Sequence, residues 1–396
     1  MSSPTTLPLH MQRDRFDPPA ALTALREEPA LHGVTTPLGS RAWLVTRYAD
    51  AREVLGDAER FSNQSMIPVD DGNDGETPEE RRAGSLLLFD PPEHTRLRRL
   101  LTGEFTVRRI RRLEPRIHEI VDDHLDAMEA AGAPADLVSS FALPVPSLVI
   151  CELLGVPYDD RAEFQGRAAR QLDVSRPMPE RLAAGRESRA YMGELVDRAR
   201  ADPGEDMLGM LVREHGEELT RAELAGIASL LLIAGHETTA NVLGLGTLAL
   251  LRDPAQAARV REDPAAVSGA VEELMRFLSV VHTGVPRRAT RDTEVGGQPV
   301  EKDDLVVVSL PAANRDRALV DDPDRLDVGR AAAPHVAFGH GVHHCLGAPL
   351  ARMEMAVAFP ALLRRFPTLA PAVADGDVEF RSATVVYGLR SLPVTW

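Results

Sequence analysis

The longest regular pattern in this sequence of 396 residues is an apolar, helix-forming run over residues 219–251. Thr220 and Glu223 have the spacing of a capping box at a helix start, and Pro254 ends the pattern. The 28 residues from 224 to 251 would extend about 42 Å at 1.5 Å per residue. Three polar residues interrupt the run: His236, Glu237 and Asn241. It therefore predicts a buried helix that crosses the body of the protein, and not a membrane span.

The remaining patterns predict a single domain, residues 1–396, that is mainly α with small antiparallel β-sheets. Helical patterns dominate residues 91–280, whereas residues 285–310 alternate with the period of two that is typical of strands. The tail over residues 385–395 is also strand-like. Residues 1–20 are polar and rich in proline, and we expect a loosely ordered arm there.

Charge and cysteine content exclude several classes of protein. The net charge of −15 argues against a nucleic-acid-binding protein. Cys151 and Cys345 lie far apart, form no disulfide framework and suit a reducing compartment. Residues 1–10 lack the basic and then apolar pattern of a signal peptide or an anchor. We therefore expect a cytoplasmic protein that does not bind membranes.

A glycine-rich stretch contains the second cysteine, and it reads Phe338-Gly-His-Gly-Val-His-His-Cys345-Leu-Gly347. The spacing F-x-x-G-x-x-x-C-x-G would arise by chance in about 3 of 10,000 sequences of this composition. Gly339 and Gly341 allow a tight turn and a close approach to a flat ligand. A helix-forming run starts just after Gly347, so Cys345 precedes a helix N-terminus, where backbone N–H groups stabilise a thiolate. The stretch therefore predicts a cysteine that can bind a metal.

Three interpretations of this stretch are open from its residues alone. A lone cysteine in a loop is most often buried and inert. A zinc site would use His340, His343, His344 and Cys345, although neighbouring residues rarely converge on one tetrahedral ion. The third interpretation is a haem iron with the thiolate of Cys345 as its axial ligand.

The polar part of the long helix reads Ala234-Gly-His-Glu-Thr-Thr239. Glycine and threonine weaken a helix locally, because a threonine hydroxyl can bond to a carbonyl one turn back. Glu237 places an acid next to the hydroxyl of Thr238, as a proton relay requires. The alternative is a solvated polar patch, or a packing adjustment, on a buried helix.

Together, the cysteine stretch and this polar helix segment resemble the haem-ligand loop and the oxygen-binding groove of cytochromes P450. The resemblance extends from about Trp43 to the end of the chain and is nearest to soluble bacterial, actinobacterial-type members. It implies the P450 fold, with haem b (iron protoporphyrin IX) between the long helix and the cysteine loop. It also implies a monooxygenase that uses O2 and two electrons to hydroxylate or epoxidise a large, mostly apolar small molecule. Such a substrate would be a secondary metabolite, for example a macrolide, polyene or terpenoid.

The resemblance implies roles for individual residues. Cys345 would be the axial ligand of the iron, and Glu237 and Thr238 would deliver protons to bound dioxygen. Ala234 and Gly235 would let the helix lie close to the haem. The other haem contacts implied in the cysteine loop are Phe338, Gly339 and Gly347. The haem propionates would be bound by four residues, His94, Arg98, Arg287 and His343.

A buried ion pair and a substrate pocket are also implied. Glu273 and Arg276 share one helix face at a spacing of three residues. Taken alone they are most often a surface pair, but the resemblance makes them an internal pair under the cysteine loop, joined by Arg325. The family usually has an aromatic residue after that arginine, where this chain has Leu326. The substrate-lining residues implied are Ile233, Val281, Val285 and Val385, together with the loop 62–88.

Seven arginines lie within 17 residues of this acidic chain: Arg96, Arg98, Arg99, Arg108, Arg109, Arg111 and Arg112. Such a run is either a solvated face or a docking patch for an acidic electron donor. The resemblance implies a ferredoxin, supplied by a ferredoxin reductase, as that donor, and a monomeric enzyme.

Other activities stay open at this point. The same haem would also support an atypical oxidation, such as C–C bond formation or rearrangement. Peroxide-driven hydroxylases and nitric oxide reductases of the family lack the acid–threonine pair that Glu237 and Thr238 form here. A non-catalytic haem carrier or sensor needs no proton path, so the same pair argues against it.

Overall fold

The structure of the chain is a computed structural model that describes residues 7–28, 30–36, 39–64 and 77–396. The α-helices of these residues are α1 (Ala20–Glu27), α2 (Tyr48–Gly56), α3 (Pro78–Arg82), α4 (Glu93–Thr102), α5 (Val107–Ala131), α6 (Pro144–Leu154), α7 (Arg161–Leu172), α8 (Met178–Ala201), α9 (Met207–His215), α10 (Arg221–Leu251), α11 (Pro254–Glu262), α12 (Pro264–Leu278), α13 (Leu310–Ala313) and α14 (Ala348–Arg365). None of them, in the part of the chain described, is both long and apolar enough to cross a membrane.

Short strands form small sheets beside the helices. The strands are β1 (His32–Thr35), β2 (Arg41–Val45), β3 (Phe61–Ser62), β4 (Ala135–Asp136), β5 (Val285–Ala289), β6 (Thr293–Val295), β7 (Gln298–Val300), β8 (Leu305–Val308), β9 (Ala370–Pro371), β10 (Phe380–Arg381), β11 (Gly388–Leu389) and β12 (Pro393–Thr395). The largest sheet has the order β1-β2-β8-β5-β3. Its β2–β8 pair is parallel, whereas the sequence analysis predicted antiparallel sheets. Parallel pairing needs a long crossover, and most of the chain lies between these two strands.

The long helix predicted from the sequence is α10, and it forms the centre of the core. Thr220 caps its start, and Glu223 completes the capping box. The helix contacts α6, α8, α12 and α14, and most of its residues are buried. Because α10 is apolar on nearly all sides, it is stable only when other elements cover it.

The N-terminal arm differs from the expectation of a loosely ordered segment, at least from residue 7 onward. His10 and Met11 are 1% and 0% exposed, and Phe16 is 7% exposed. Residues 7–20 therefore belong to the packed structure, and residues 1–6 lie outside the described residues. The sequence could not indicate this, because the partners of the arm lie more than 250 residues away in the chain.

The predicted pair Glu273 and Arg276 is internal. The Arg276 guanidinium donates two hydrogen bonds of 2.8 Å to the Glu273 carboxylate, and both side chains are at most 3% exposed. Arg276 also donates to the carbonyl oxygens of Asn314 and Pro323, at 2.8 Å each. The pair therefore ties α12 to the irregular chain that leads toward Cys345.

The third member of this network is Arg330, and the prediction of Arg325 was wrong. Arg330 Nε lies 3.2 Å from Glu273 Oε1, whereas the Arg325 side chain is 62% exposed. The Arg325 guanidinium pairs at the surface with Asp322 and Asp327, which flank it in the same turn. Only its main-chain carbonyl joins the network, as an acceptor for Arg276 and Arg330.

Removing Arg330 should therefore cost far more stability than removing Arg325. We expect Arg330→Ala to lower the free energy of unfolding by about 2 kcal/mol, because it leaves Glu273 short of a charged donor. Arg325→Ala should change it by less than about 0.5 kcal/mol. Urea unfolding of the haem-loaded protein, followed by circular dichroism, measures both. Equal losses would contradict the assignment of Arg330.

Candidate haem-thiolate site

The loop that carries Cys345 is a tight turn fixed by its glycines. The Cys345 backbone N–H donates to the Phe338 carbonyl at 2.8 Å. Gly339 and Gly341 have φ of +73° and +71°, the left-handed region that favours glycine. A Cβ on Gly341 would also lie 2.6 Å from the Leu55 carbonyl oxygen of α2. The turn therefore depends on glycine at 341 for both conformation and space.

The Cys345 thiol lies directly before the start of α14, as predicted. Its sulfur accepts hydrogen bonds from the backbone N–H groups of Gly347 and Ala348. The residue has accessible surface, yet protein atoms surround the sulfur on most sides, so it faces an enclosed space and not the outside of the molecule. Burial raises the pKa of Cys345, and the two N–H groups with the Arg98 and Arg352 guanidinium groups oppose that shift. The donors expected to stabilise the thiolate are present, but desolvation has the larger effect on the pKa of Cys345. Coordination to a metal removes such a proton outright.

Four predicted propionate-binding residues form one cluster near this loop. The rings of His94 and His343 have centroids 4.2 Å apart. Burial, together with repulsion from the charges of His94, Arg287 and Arg98, lowers the pKa of His343 to about 3. Arg98 donates from Nη2 to the His344 carbonyl at 2.7 Å. The cluster therefore combines two neutral histidines with two cations.

The polar groups of this cluster lack protein partners among the described residues. None of the four ring nitrogens of His94 and His343 has a hydrogen-bond partner there. Arg287 is 3% exposed, yet its side chain donates only to the Pro286 carbonyl and forms no ion pair with a described carboxylate. Burial lowers the pKa of Arg287 to about 10, so it is still charged near neutral pH. Buried donors and a buried cation of this kind fit the two carboxylates of haem b.

The zinc interpretation of the same stretch has no geometric support. Among the residues that the structure describes, no three His, Cys, Asp or Glu side chains are arranged to hold a metal ion. One of the candidate ligands, His340, instead packs its ring against Gly56 of α2.

The polar segment of α10 presents Ala234 and Thr238 on its accessible face. Ala234 is exposed although most of α10 is buried, so it borders open space. The Thr238 hydroxyl donates to the Ala234 carbonyl at 2.8 Å, which is the predicted back-bonding. Residues 221–251 still form one uninterrupted α-helix.

Gly235 does not share the face of Ala234 and Thr238: a Cβ there would lie 2.8 Å from the Ile150 side chain of α6. Gly235 therefore packs closely against α6, and its approach to the haem stays a prediction.

Glu237 points away from Thr238. Its carboxylate is buried and accepts hydrogen bonds of 3.3 Å from Asn241 and from Arg381 of β10. Arg381 also donates to the Asn241 side chain at 3.0 Å. The sequence analysis missed both partners. Asn241 could have been found, since it follows Glu237 by four residues in a helix, but no sequence signal connects Arg381 with α10.

The predicted substrate-lining residues are all half-buried. They lie in α10 (Ile233), in the chain before β5 and at its start (Val281 and Val285), and in the chain before β11 (Val385). Val281 pairs with Val386 through an isolated bridge. The Val385 N–H donates to the Leu172 carbonyl at the end of α7, at 2.9 Å. The structure thus brings two of these segments together. Residues 65–76 of the predicted substrate loop lie outside the described residues.

Comparisons with known proteins show the family to which this chain belongs. The family model for cytochrome P450 matches residues 197–387. Cytochrome P450 FAS1 of Rhodococcoides fascians is 48% identical over 400 residues, covering 100% of both chains. The structure of StaH, a P450 from the biosynthesis of glycopeptide antibiotic A47934, matches with a TM-score of 0.87 at 48% identity and covers 98% of this chain and 100% of its own. The structure of CYP105P1 in complex with filipin I matches with a TM-score of 0.91 at 43% identity, covering 100% and 99%.

The cluster makes Arg287 the residue whose loss should weaken haem retention most. We expect Arg287→Met to speed haem transfer to apomyoglobin about tenfold, because a buried propionate would lose its cation. Arg288→Met is the matched control, since the neighbouring arginine donates to the Asp303 carbonyl instead. A change of less than about twofold in both variants would count against the cluster as the propionate site.

Proposed function

Because this chain belongs to the cytochrome P450 family, we propose that it hydroxylates or epoxidises a large, mostly apolar small molecule of secondary metabolism. The observation that carries the proposal is the Cys345 thiol beside a cluster in which, among the described residues, the His94 and His343 rings have no hydrogen-bond partner and the buried Arg287 forms no ion pair. When bound, haem b supplies oxygen activation, with the axial thiolate favouring O–O cleavage. Cys345 would hold the iron, and His94, Arg98, Arg287 and His343 would hold the propionates.

Two neighbouring residues of α10, Thr238 and Glu237, would transfer protons in this site. Thr238 Oγ1 donates its proton to the Ala234 carbonyl, so its lone pairs are free to accept a proton donor on the accessible face of α10. Glu237 holds its carboxylate between Asn241 and Arg381, and the Arg381 side chain is 31% exposed. In this proposal, Glu237 takes protons from the solvent side and rotates to pass them to Thr238.

Similar proteins support a large substrate. One solved relative was crystallised with filipin I, and another acts in the biosynthesis of a glycopeptide antibiotic. The half-buried Val281, Val285 and Val385 would give the pocket an apolar wall. Apolar walls with few polar groups are typical of small-molecule sites.

A second candidate is an atypical oxidation, in which the same site joins two carbon atoms. The two candidates differ in mass balance, because hydroxylation or epoxidation adds one oxygen atom, whereas coupling removes two hydrogen atoms. Mass spectrometry of the product decides between them.

We propose that electrons arrive from a ferredoxin at the face formed by the end of α4 and the start of α5. Four of the seven arginines are exposed there, Arg99, Arg108, Arg111 and Arg112, and Val107 is 57% exposed. The other three have partners: Arg96 and Arg109 pair with glutamates, and Arg98 bonds to the cysteine loop. Exposed cations around an apolar residue suit an acidic donor protein, with a ferredoxin reductase behind it.

The absorption spectrum of the reduced, CO-bound protein tests the thiolate. We expect the strongly red-shifted Soret band of a thiolate trans to CO, and we expect Cys345→Ser to lose it. Cys151→Ser is the control, because Cys151 is buried in α6 and burial raises its pKa to about 12. A red-shifted band in Cys345→Ser would contradict the proposed ligand.

Thr238→Ala should uncouple oxygen consumption from product formation. With a compound that shifts the iron spin state as a substrate does, we expect product per NADH to fall at least about tenfold, with a matching rise in peroxide. Affinity for the compound should not change. Thr239→Ala is the matched control, because this neighbour is 3% exposed and lies in the core. Full coupling in Thr238→Ala would show that its hydroxyl has no part in proton delivery.

A further inference from the structure

An N-terminal segment, residues 9–16, crosses the end of α12, and we call it the strap. The His10 Nε2–H donates to the Thr283 carbonyl at 3.0 Å. Arg13 donates to the carbonyls of Leu278 and Ser279, at 2.8 and 2.7 Å. The Tyr387 hydroxyl donates to the Arg15 carbonyl at 2.7 Å. The strap therefore joins two chain segments that lie about 100 residues apart in the sequence.

The strap meets the chain where the backbone is strained. Ser279 ends α12 with φ 39° and ψ 65°, a left-handed conformation that is uncommon for a residue other than glycine. Leu278 and Ser279 are 0% and 3% exposed, so their carbonyls depend on protein donors. Arg13 supplies both of these donors. It thereby fixes the direction in which the chain leaves α12.

The chain that leaves α12 forms one side of a structure that we call the wall, residues 280–285 and 384–387. The Tyr387 N–H donates to the Val280 carbonyl at 2.7 Å, and the His282 Nε2–H donates to the Thr384 carbonyl at 2.7 Å. The Arg13 guanidinium lies 4.7 Å from the centre of the Tyr387 ring. Arg13 therefore lies at one end of the wall, where it contacts Tyr387 of one segment and the residues that lead into the other.

Beyond the wall, each of its two segments continues to a residue of the haem-thiolate site. Arg287 of the propionate cluster follows Val285 by two residues, and Arg381, which bonds to Glu237, precedes Thr384 by three. On a third side, the Val174 N–H donates to the Ala383 carbonyl at 3.0 Å. The wall thus connects the strap with the propionate cluster, the relay acid and the turn between α7 and α8.

We propose that Arg13 is a positioning residue that sets the shape of the substrate pocket by holding the wall in place. The inference rests on the proposed function in one respect, because Val281, Val285 and Val385 must line the pocket. Arg13 touches neither the haem site nor the pocket, so it acts through the wall alone. A bulky ligand depends on a pre-positioned wall, whereas a small ligand of the iron does not.

Spectral titration of the haem-loaded protein with two azoles tests the proposal. Imidazole reports access to the iron, and 1-(diphenylmethyl)imidazole also contacts the pocket walls. In Arg13→Ala we expect the bulky azole to bind about tenfold more weakly and imidazole to change by less than about twofold. Hydrogen exchange should be faster at the amides of His282, Val385 and Tyr387, with the rest of the core unchanged.

Arg15→Ala is the matched control. It removes the same charge from the same strap, but Arg15 pairs at the surface with Asp375 and serves the wall only through its main-chain carbonyl. For Arg15→Ala we expect the azole affinities and the hydrogen-exchange rates of the wild-type protein. If Arg13→Ala does not fold, Tyr387→Phe replaces it, since this change keeps the ring and removes only the bond to the strap; we expect about a threefold loss for the bulky azole.

Three outcomes would overturn the proposal: unchanged exchange in the wall, equal weakening of both azoles, or faster exchange throughout the core. The last two are the effects of a residue that supports the fold in general. A wild-type protein that gives no azole-induced spectral shift would contradict the proposed haem site instead. The exchange measurement would still decide whether Arg13 holds the wall.

Discussion

The pairing of buried charge is the constraint on which the rest of this structure depends. Arg276 and Arg315 are 1% and 0% exposed, and each has carboxylate and carbonyl partners within the protein. Arg287 is 3% exposed, and among the described residues its guanidinium donates only to the carbonyl of its neighbour Pro286, while the Asp90 carboxylate favours its charge from beyond ion-pair distance. A buried charge without a close counter-ion costs several kcal/mol, so a fold that keeps Arg287 needs an anion beside it. The carboxylates of haem b would meet that need, and the unpartnered rings of His94 and His343 lie in the same cluster.

Two buried glutamates, Glu273 and Glu237, differ in how firmly the surrounding hydrogen bonds hold the carboxylate. Glu273 accepts two bonds of 2.8 Å from one guanidinium and a third of 3.2 Å from Arg330. Glu237 accepts its bonds from Asn241 and Arg381 at 3.3 Å, near the long limit for hydrogen bonds. Short bidentate bonds hold a carboxylate in place, whereas long single bonds let it turn. Because successive residues of a helix point about 100° apart, Glu237 must turn to reach the face of Thr238.

Local rules predicted the parts of the fold that depend on neighbours in sequence. The capping box at Thr220, the course of α10, the turn before Cys345 and the Glu273–Arg276 pair all follow from spacings of a few residues. Arg325 was predicted from the resemblance to the family, and spacing could not point to Arg330 instead, because both residues lie in irregular chain, where spacing does not determine the direction of a side chain. For Gly235, the residue type indicated a close approach, but its contact with Ile150 of α6 could not be predicted, because the two residues are far apart in the sequence. The partners of Arg13 and Arg381 were beyond prediction, because Leu278 and Glu237 lie 265 and 144 residues away from them in the sequence.

Hydrogen bonds between residues distant in the sequence explain how the wall can have one fixed conformation although it is not a regular sheet. Its two segments meet through an isolated bridge, Val281–Val386, and not through a continuous sheet, so no long hydrogen-bond ladder sets their register. Side chains add to the backbone bonds from Tyr387 to Val280 and from His282 to Val385: Arg13 acts at one end and the His282 ring in the middle. Such anchors leave Val281 and Val385 free to vary in size without moving the backbone. A pocket built in this way can change its substrate through the lining residues while the site around Cys345 keeps its geometry.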